Sequence, residues 1–138
     1  MRLLLAFALA SFAAGSAAGF GAAQLATAQR ASPPIGVVRY MDALRQLDGR
    51  LIWASYSAAF QERRILEGDS EAATIALYEK FREDGASIDE TIYVGGYQAR
   101  ESGYFLYVTR HFRPHDQTIE VVWIFQTDPA GLIDRVVI

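Results

Sequence analysis

The chain has 138 residues, 13 basic against 16 acidic, and no cysteine. That length suits one domain rather than two. Without cysteine there are no disulfides, thiolate nucleophiles, Cys-ligated metals or lipidated N-terminal cysteine. The basic residues form no run, so nucleic acid is not an expected partner.

Residues 1–28 have the layout of a secretory leader. Met1-Arg2 supplies a short positive start, Leu3 to Ala14 an apolar run, and Ala26-Thr27-Ala28 a small-x-small cleavage pattern, with Gln29 as the expected mature start. Cleavage there removes Arg2 and no acid, leaving 12 basic against 16 acidic residues. The competing reading is an N-terminal membrane anchor over residues 3–23, which is long enough to span. Its second half is Ala, Gly and Ser, which insert weakly, and the cleavage pattern follows it. With the leader removed, no stable membrane anchor is expected. Arginine outnumbers lysine, with Lys80 the sole lysine, as in proteins of GC-rich bacterial genomes. The expected location is the bacterial periplasm or the medium.

Residues 29–32 read as a linker, and residues 33–138 as a single domain. Pro33-Pro34 marks the start of a first helix, expected over about Ile35 to Leu47. Tyr40, Leu44, Leu47 and Leu51 follow the spacing of one buried face, widened by Val37 and Met41. Gly49 is the expected left-handed cap. A second helix is predicted over about Arg50 to Phe60, with Ile52, Trp53, Tyr56 and Phe60 on its apolar side. Arg63-Arg64 then reads as a solvated helix end rather than an anion site. A third helix starts at Asp69 or Ser70, with Glu71 in its first turn. Thr74, Leu77, Tyr78 and Phe81 form its predicted inner face, and Gly85 closes it.

Beyond Gly85 the period changes from 3.6 to 2. A strand is predicted over Ser87 to Arg100, with Ile88, Glu90, Ile92 and Val94 on one face and Thr91 and Tyr93 on the other. Gly95-Gly96 inside it predicts a bulge or bend. A second strand spans Tyr104 to Arg113, and Pro114-His115-Asp116 forms the next turn. Thr118 to Ile138 reads as a hairpin around Asp128-Pro129-Ala130-Gly131, where Pro129 pre-sets φ and Gly131 accepts a positive one. Ile119, Val121, Trp123 and Phe125 share one face of its first strand. The opposite face carries Val122 and Ile124 between polar ends. A strand apolar on both faces is usually covered on both. This predicts a homodimer through the open sheet face at Val122 and Ile124, unless the two are ordinary outward-facing apolar residues.

The expected fold class is therefore α+β: three N-terminal helices packed on one face of a curved four-stranded antiparallel meander. This order resembles the NTF2-like, or cone-shaped α+β, superfamily. The resemblance is carried by Val37-Val38-Arg39-Tyr40-Met41-Asp42-Ala43-Leu44 in the first helix and by Trp123 to Arg135 in the closing hairpin. The superfamily holds isomerases, cyclases, dehydratases and binding modules, so it implies a fold and not a function. Its ketosteroid isomerase-like members use a first-helix tyrosine as oxyanion donor and two acids. By that resemblance Tyr40 is the donor of an isomerase or cyclase, but Gln61-Glu62-Arg63-Arg64 after the second helix offers no convincing inward acid for the base, and Trp123 or its apolar neighbours take the place of the second acid on the later strand. The primary expectation is a non-catalytic binding or accessory domain of the cell envelope, taking a small apolar molecule or an envelope protein as partner.

Tyr40, Trp53, Tyr56, Tyr93, Tyr107 and Trp123 are the candidate pocket residues inside such a cone. The same rings are what a ~110-residue domain without disulfides needs to fill its core. No catalytic residue, cofactor or metal site is assigned. His111 and His115 have the i, i+4 spacing of a helical metal site, but Pro114 lies between them and both read as a polar hairpin tip. No Gly-x-Ser-x-Gly elbow, phosphate loop or calcium loop is present.

Overall fold

The computed structural model describes residues 31–112 and 118–138. The predicted leader and the Pro114-His115-Asp116 turn lie outside the described residues. Among the described residues there are four helices, α1 (Ile35–Gln46), α2 (Gly49–Ala54), α3 (Ala58–Leu66) and α4 (Glu71–Glu83). Four strands follow, β1 (Ser87–Gln98), β2 (Gly103–Phe112), β3 (Ile119–Thr127) and β4 (Ile133–Val137), in one antiparallel sheet of order β1-β2-β3-β4. The α+β class and the meander are as expected; the helix count is not. None of the described helices is long and apolar enough to cross a membrane.

The hairpin turn follows its residues. The Asp128 carboxylate accepts from Leu132 N at 2.9 Å, its carbonyl accepts from Gly131 N at 3.0 Å, and Gly131 has φ +79. This turn also receives α1. Gly36 N donates to Gly131 O at 3.2 Å, so the hairpin carbonyl satisfies one of the free amides of the first helical turn. The approach is too close for a side chain: a Cβ on Gly36 would lie 2.4 Å from that oxygen.

From there α1 lays Val37, Tyr40, Met41, Ala43 and Leu44 into the core. Its end differs from expectation. Leu47, not Gly49, takes the left-handed conformation (φ 52), and its side chain stays buried. Asp48 caps α2, accepting from Arg50 N and Leu51 N. Gly49 is instead where α2 crosses α4, with an added Cβ 2.7 Å from the Thr74 carbonyl. This sharp turn rotates Leu51 off the face it shares in a continuous helix, and Leu51 is exposed.

The predicted second helix is two helices. Ser55-Tyr56-Ser57 breaks it by pairing with β4: Ile133 N donates to Ser55 O at 3.1 Å and Ser57 N to Ile133 O at 2.7 Å. Ser57 then caps α3 through Phe60 N and donates to Asp134 Oδ1 at 2.9 Å. In α4, Ser70 is the N-cap and Glu71 sits in the first turn as predicted. Thr74 and Tyr78 face inward, whereas Leu77 is exposed.

The β1 strand carries register breaks between Ile88 and Glu90 and between Tyr93 and Gly95. The second lies at the predicted Gly95-Gly96 bend. The first was not expected and moves Ile88 off the face of Glu90 and Ile92. Ile88, like Tyr93, packs against the core, while Ile92 is exposed. The inner face of the sheet presents Phe105, Tyr107, Thr109, Trp123, Phe125 and Ile133, all buried. Tyr93 hydroxyl donates to the Ala31 carbonyl and Gly96 O accepts from Ala31 N, tying the entering chain to β1.

Gly36→Ala should destabilise the domain by about 1–3 kcal/mol, because helix and turn are both backbone and cannot yield as a side chain would. Chemical denaturation of the two proteins checks this; an unchanged midpoint would contradict the docking of α1 on the hairpin.

Candidate functional site

The six aromatic candidates do not line one pocket. Five are buried and Tyr93 is half-buried. They pack on one another: Tyr40 lies 5.0 Å from Phe125, 5.9 Å from Trp123 and 6.0 Å from Tyr56, Trp53 lies 5.7 Å from Tyr56, and Tyr93 lies 5.0 Å from Tyr107, all as ring centroids. These are the tilted and edge-on contacts of a solid core. Among the described residues, two of the cavities border that core and hold some of these rings. Trp53, Tyr93 and Tyr107 line neither.

The larger cavity, about 300 Å³, lies between α4 and the inner face of the sheet. Leu44, Leu47, Phe81, Ile88 and Val121 make its walls apolar, and Trp123 and His111 close one side. The side chains arrive there by strand alternation. Thr109 and His111 are two apart on β2, and Trp123 lies on β3 opposite Tyr107, diagonal to Thr109. The Trp123 indole N–H donates to Thr109 Oγ1 at 2.7 Å, and Thr109 Oγ1 lies 2.6 Å from His111 Nε2.

Thr109 is fully buried. A buried hydroxyl proton left unused is costly, and the indole occupies the Thr109 oxygen as acceptor. Donation of the Thr109 proton to His111 Nε2 satisfies all three groups. The contact holds the imidazole on the inner face of β2. The imidazole stacks with the indole at 6.1 Å and 16°. His111 is therefore an inward-facing strand residue and not part of a polar hairpin tip. His115 lies outside the described residues. Among the described residues no group of three or more His, Asp or Glu could hold a metal ion.

The smaller cavity, about 220 Å³, is bordered by Tyr40, Tyr56 and Tyr78 with Arg64 and Asp69. The Tyr40 hydroxyl interacts with those of Tyr56 and Tyr78. Burial pushes all three upward: Tyr40 well above its ordinary value, Tyr56 to about 12, and Tyr78 in the same direction. The cluster stays neutral at physiological pH and supplies donors rather than a base. Arg64 pairs with Asp69, and its Nε is buried with no hydrogen-bond partner among the described residues. Arg63 pairs with Asp134 at 3.2 Å, so each arginine of the pair has its own carboxylate.

Sequence reasoning placed Trp123 at a pocket but missed Thr109 and His111. The available signal was alternation: Tyr107, Thr109 and His111 share a face of β2, the same face as Phe105. Tyr78, the third hydroxyl of the cluster, was read only as a core side chain of its helix.

The tyrosine shifts carry a pH dependence of stability. The folded values of Tyr40, Tyr56, Tyr78 and Tyr107 lie above the unfolded value of 10.0, with burial again raising Tyr107 to about 12. Their contribution is thus complete below pH 10 and lost as pH rises toward the folded values. At about pH 11 fewer tyrosines should ionise in the folded protein than in guanidinium, read as tyrosinate absorbance, with stability falling over the same interval.

Compared with protein-family models, with curated proteins and with solved structures, the chain matches none.

Proposed function

We propose that this is an exported, non-catalytic domain of the bacterial cell envelope that holds a small apolar molecule in the cavity between α4 and the sheet. The observation that carries the reading is the cavity's makeup: about 300 Å³ of space with mostly apolar walls and a few polar groups, Ser87, Tyr78 and His111, the last held by Thr109. Ligand pockets are typically apolar with few placed polar groups, and this volume lies at their small end. The favoured ligand has an apolar body of roughly 15 heavy atoms or fewer and one polar end directed at the imidazole. The order of helices and meander strands supports an NTF2-like fold, in which such a cavity has a natural place. The leader over residues 1–28 supports export.

A second reading, an isomerase or cyclase with Tyr40 as donor, is favoured by the three clustered hydroxyls beside the smaller cavity. Against it, Asp69, the carboxylate bordering that cavity, is held in an ion pair with Arg64.

Uptake of an environment-sensitive apolar dye tests the first reading. The native protein should enhance the dye's fluorescence saturably, and Ala86→Leu, which fills the larger cavity, should weaken binding at least about tenfold while the domain still melts cooperatively. Equal binding by both proteins would sink the proposal. Binding of a small phenolate that is lost in Tyr40→Phe, with Ala86→Leu silent, would favour the second reading.

Export has its own check. The intact mass of protein recovered from the periplasm or medium should correspond to a chain starting at Gln29. A mass retaining residues 1–28 would support the anchor instead.

A further inference from the structure

Arg63 and Arg64 are neighbours in sequence but face different surroundings. Ser57 sets the start of α3, and from there Phe60 and Arg64, four residues apart, share the side that borders the smaller cavity. Arg63 pairs with Asp134 of β4 and is not among the residues bordering that cavity. Arg64 is thus the cation of the cavity wall. Its Nη2 pairs with Asp69 Oδ2, and Asp69 Oδ1 accepts from Ser70 N at 2.8 Å. Its Nε is buried and has no hydrogen-bond partner among the described residues. A buried donor without an acceptor is costly, and a charged one more so.

We propose that the smaller cavity is a second binding site, taking a small aromatic monocarboxylate whose carboxylate accepts from Arg64 Nε and whose ring lies beside Phe60 and Leu77. This site does not depend on what the larger cavity holds. Arg64 anchors the ligand, and the tyrosine hydroxyls line its surroundings without acting on it chemically.

The wall selects this class. Its polar side offers donors, the Nε–H of Arg64 and the neutral hydroxyls of Tyr40, Tyr56 and Tyr78. Asp69 has both oxygens engaged, with Arg64 and with the start of α4. Burial governs the upward shifts of the Tyr56 and Tyr78 hydroxyls. Among the charges, Arg64 acts on Tyr56 more strongly than Asp69 does, and it lowers Tyr78 as well. The field on this side of the cavity is therefore positive, which favours an anion. One cation matches one carboxylate, and a charge-assisted bond to Nε is stronger than one to a neutral oxygen. A second acid on the ligand would find no further cation in the wall and would meet Asp69. The rest of the wall is apolar, with Phe60, Leu77 and Val136. Tyr56 and Phe60 already meet edge-on at 4.8 Å, and a flat ring extends that packing. About 220 Å³ of space limits the ligand to roughly ten heavy atoms, which admits benzoate.

Titration calorimetry of the protein with sodium benzoate should show one saturable site, with Kd roughly 0.1–1 mM for so small a ligand. Arg64→Gln should weaken binding at least about tenfold. Benzamide, which keeps the ring and an acceptor oxygen but not the charge, should bind the native protein at least about tenfold more weakly. Because Arg64→Gln also removes the pair with Asp69, a second variant leaves that pair intact. Ala73→Leu fills the cavity from α4 and should weaken benzoate binding at least about tenfold while the domain still melts cooperatively. Ala86→Leu, in the larger cavity, should leave benzoate affinity within about twofold. No saturable binding up to roughly 10 mM benzoate, or equal affinity in the native protein, Arg64→Gln and Ala73→Leu, would overturn the proposal. Loss of binding in Ala86→Leu with Ala73→Leu silent would place the carboxylate in the larger cavity and overturn it as well. Benzamide binding as tightly as benzoate would overturn the choice of a carboxylate.

Discussion

Tyr40 is the contact on which the arrangement depends. Its ring touches Trp123 and Phe125 of β3 and Tyr56 of the segment between α2 and α3. One side chain thus joins the first helix, the helix break and the middle of the sheet. With Gly36 seated on the hairpin turn, α1 is pinned at its N-terminus and again one turn later. The remaining helices are built outward from α1: α2 contacts α1, α4 contacts α2, and α3 is held to β4 through Ser57. The cavities lie where this outward construction stops matching the curvature of the sheet, on either side of Tyr78.

The features legible in the sequence are those decided locally. The Asp-Pro-Ala-Gly turn, the Ser70 cap, the close at Gly85 and the bend at Gly95 follow from the residues at those positions. What could not be read is decided by partners distant in the chain. Nothing in Ser55-Tyr56-Ser57 forbids a helix; the break exists because Ile133 bonds both sides of Tyr56. Gly49 looks like a cap, yet its lack of a side chain serves the crossing with α4. Leu77 and Tyr78 both satisfy an amphipathic pattern, and the place Tyr78 finds beside Tyr40 of α1 selects which turns inward. The bulge before Glu90 has no glycine to announce it, and it alone separates Ile88 from Ile92.

The candidate site divides in the same way. Trp123 was legible as an inward aromatic on an alternating strand. Its partnership with Thr109 and His111 was not, since it runs diagonally between strands whose register only the folded sheet defines. An alternating strand also states that Val122 and Ile124 point away from Trp123 and Phe125, which is why the outer face was readable. The meander is thus used on both sides: inward for a core with a cavity beside it, outward for a surface that the described helices leave uncovered.

Whether the larger cavity is a preformed site turns on what keeps it open. Trp123 is the bulkiest group at its edge, and a free indole would gain dispersion contacts by swinging into the space. Three contacts oppose that motion. Thr109 fixes the indole N–H at 2.7 Å, Tyr40 meets the ring at 61°, and Phe125 stacks with it at 4°. Abandoning the Thr109 bond would leave a buried N–H without a partner, a loss of about 1–3 kcal/mol. Small apolar gains from collapse must overcome that loss together with the ring contacts. The polar chain behind the wall therefore does two things at once: it holds the cavity's shape, and it orients an imidazole at the cavity's edge.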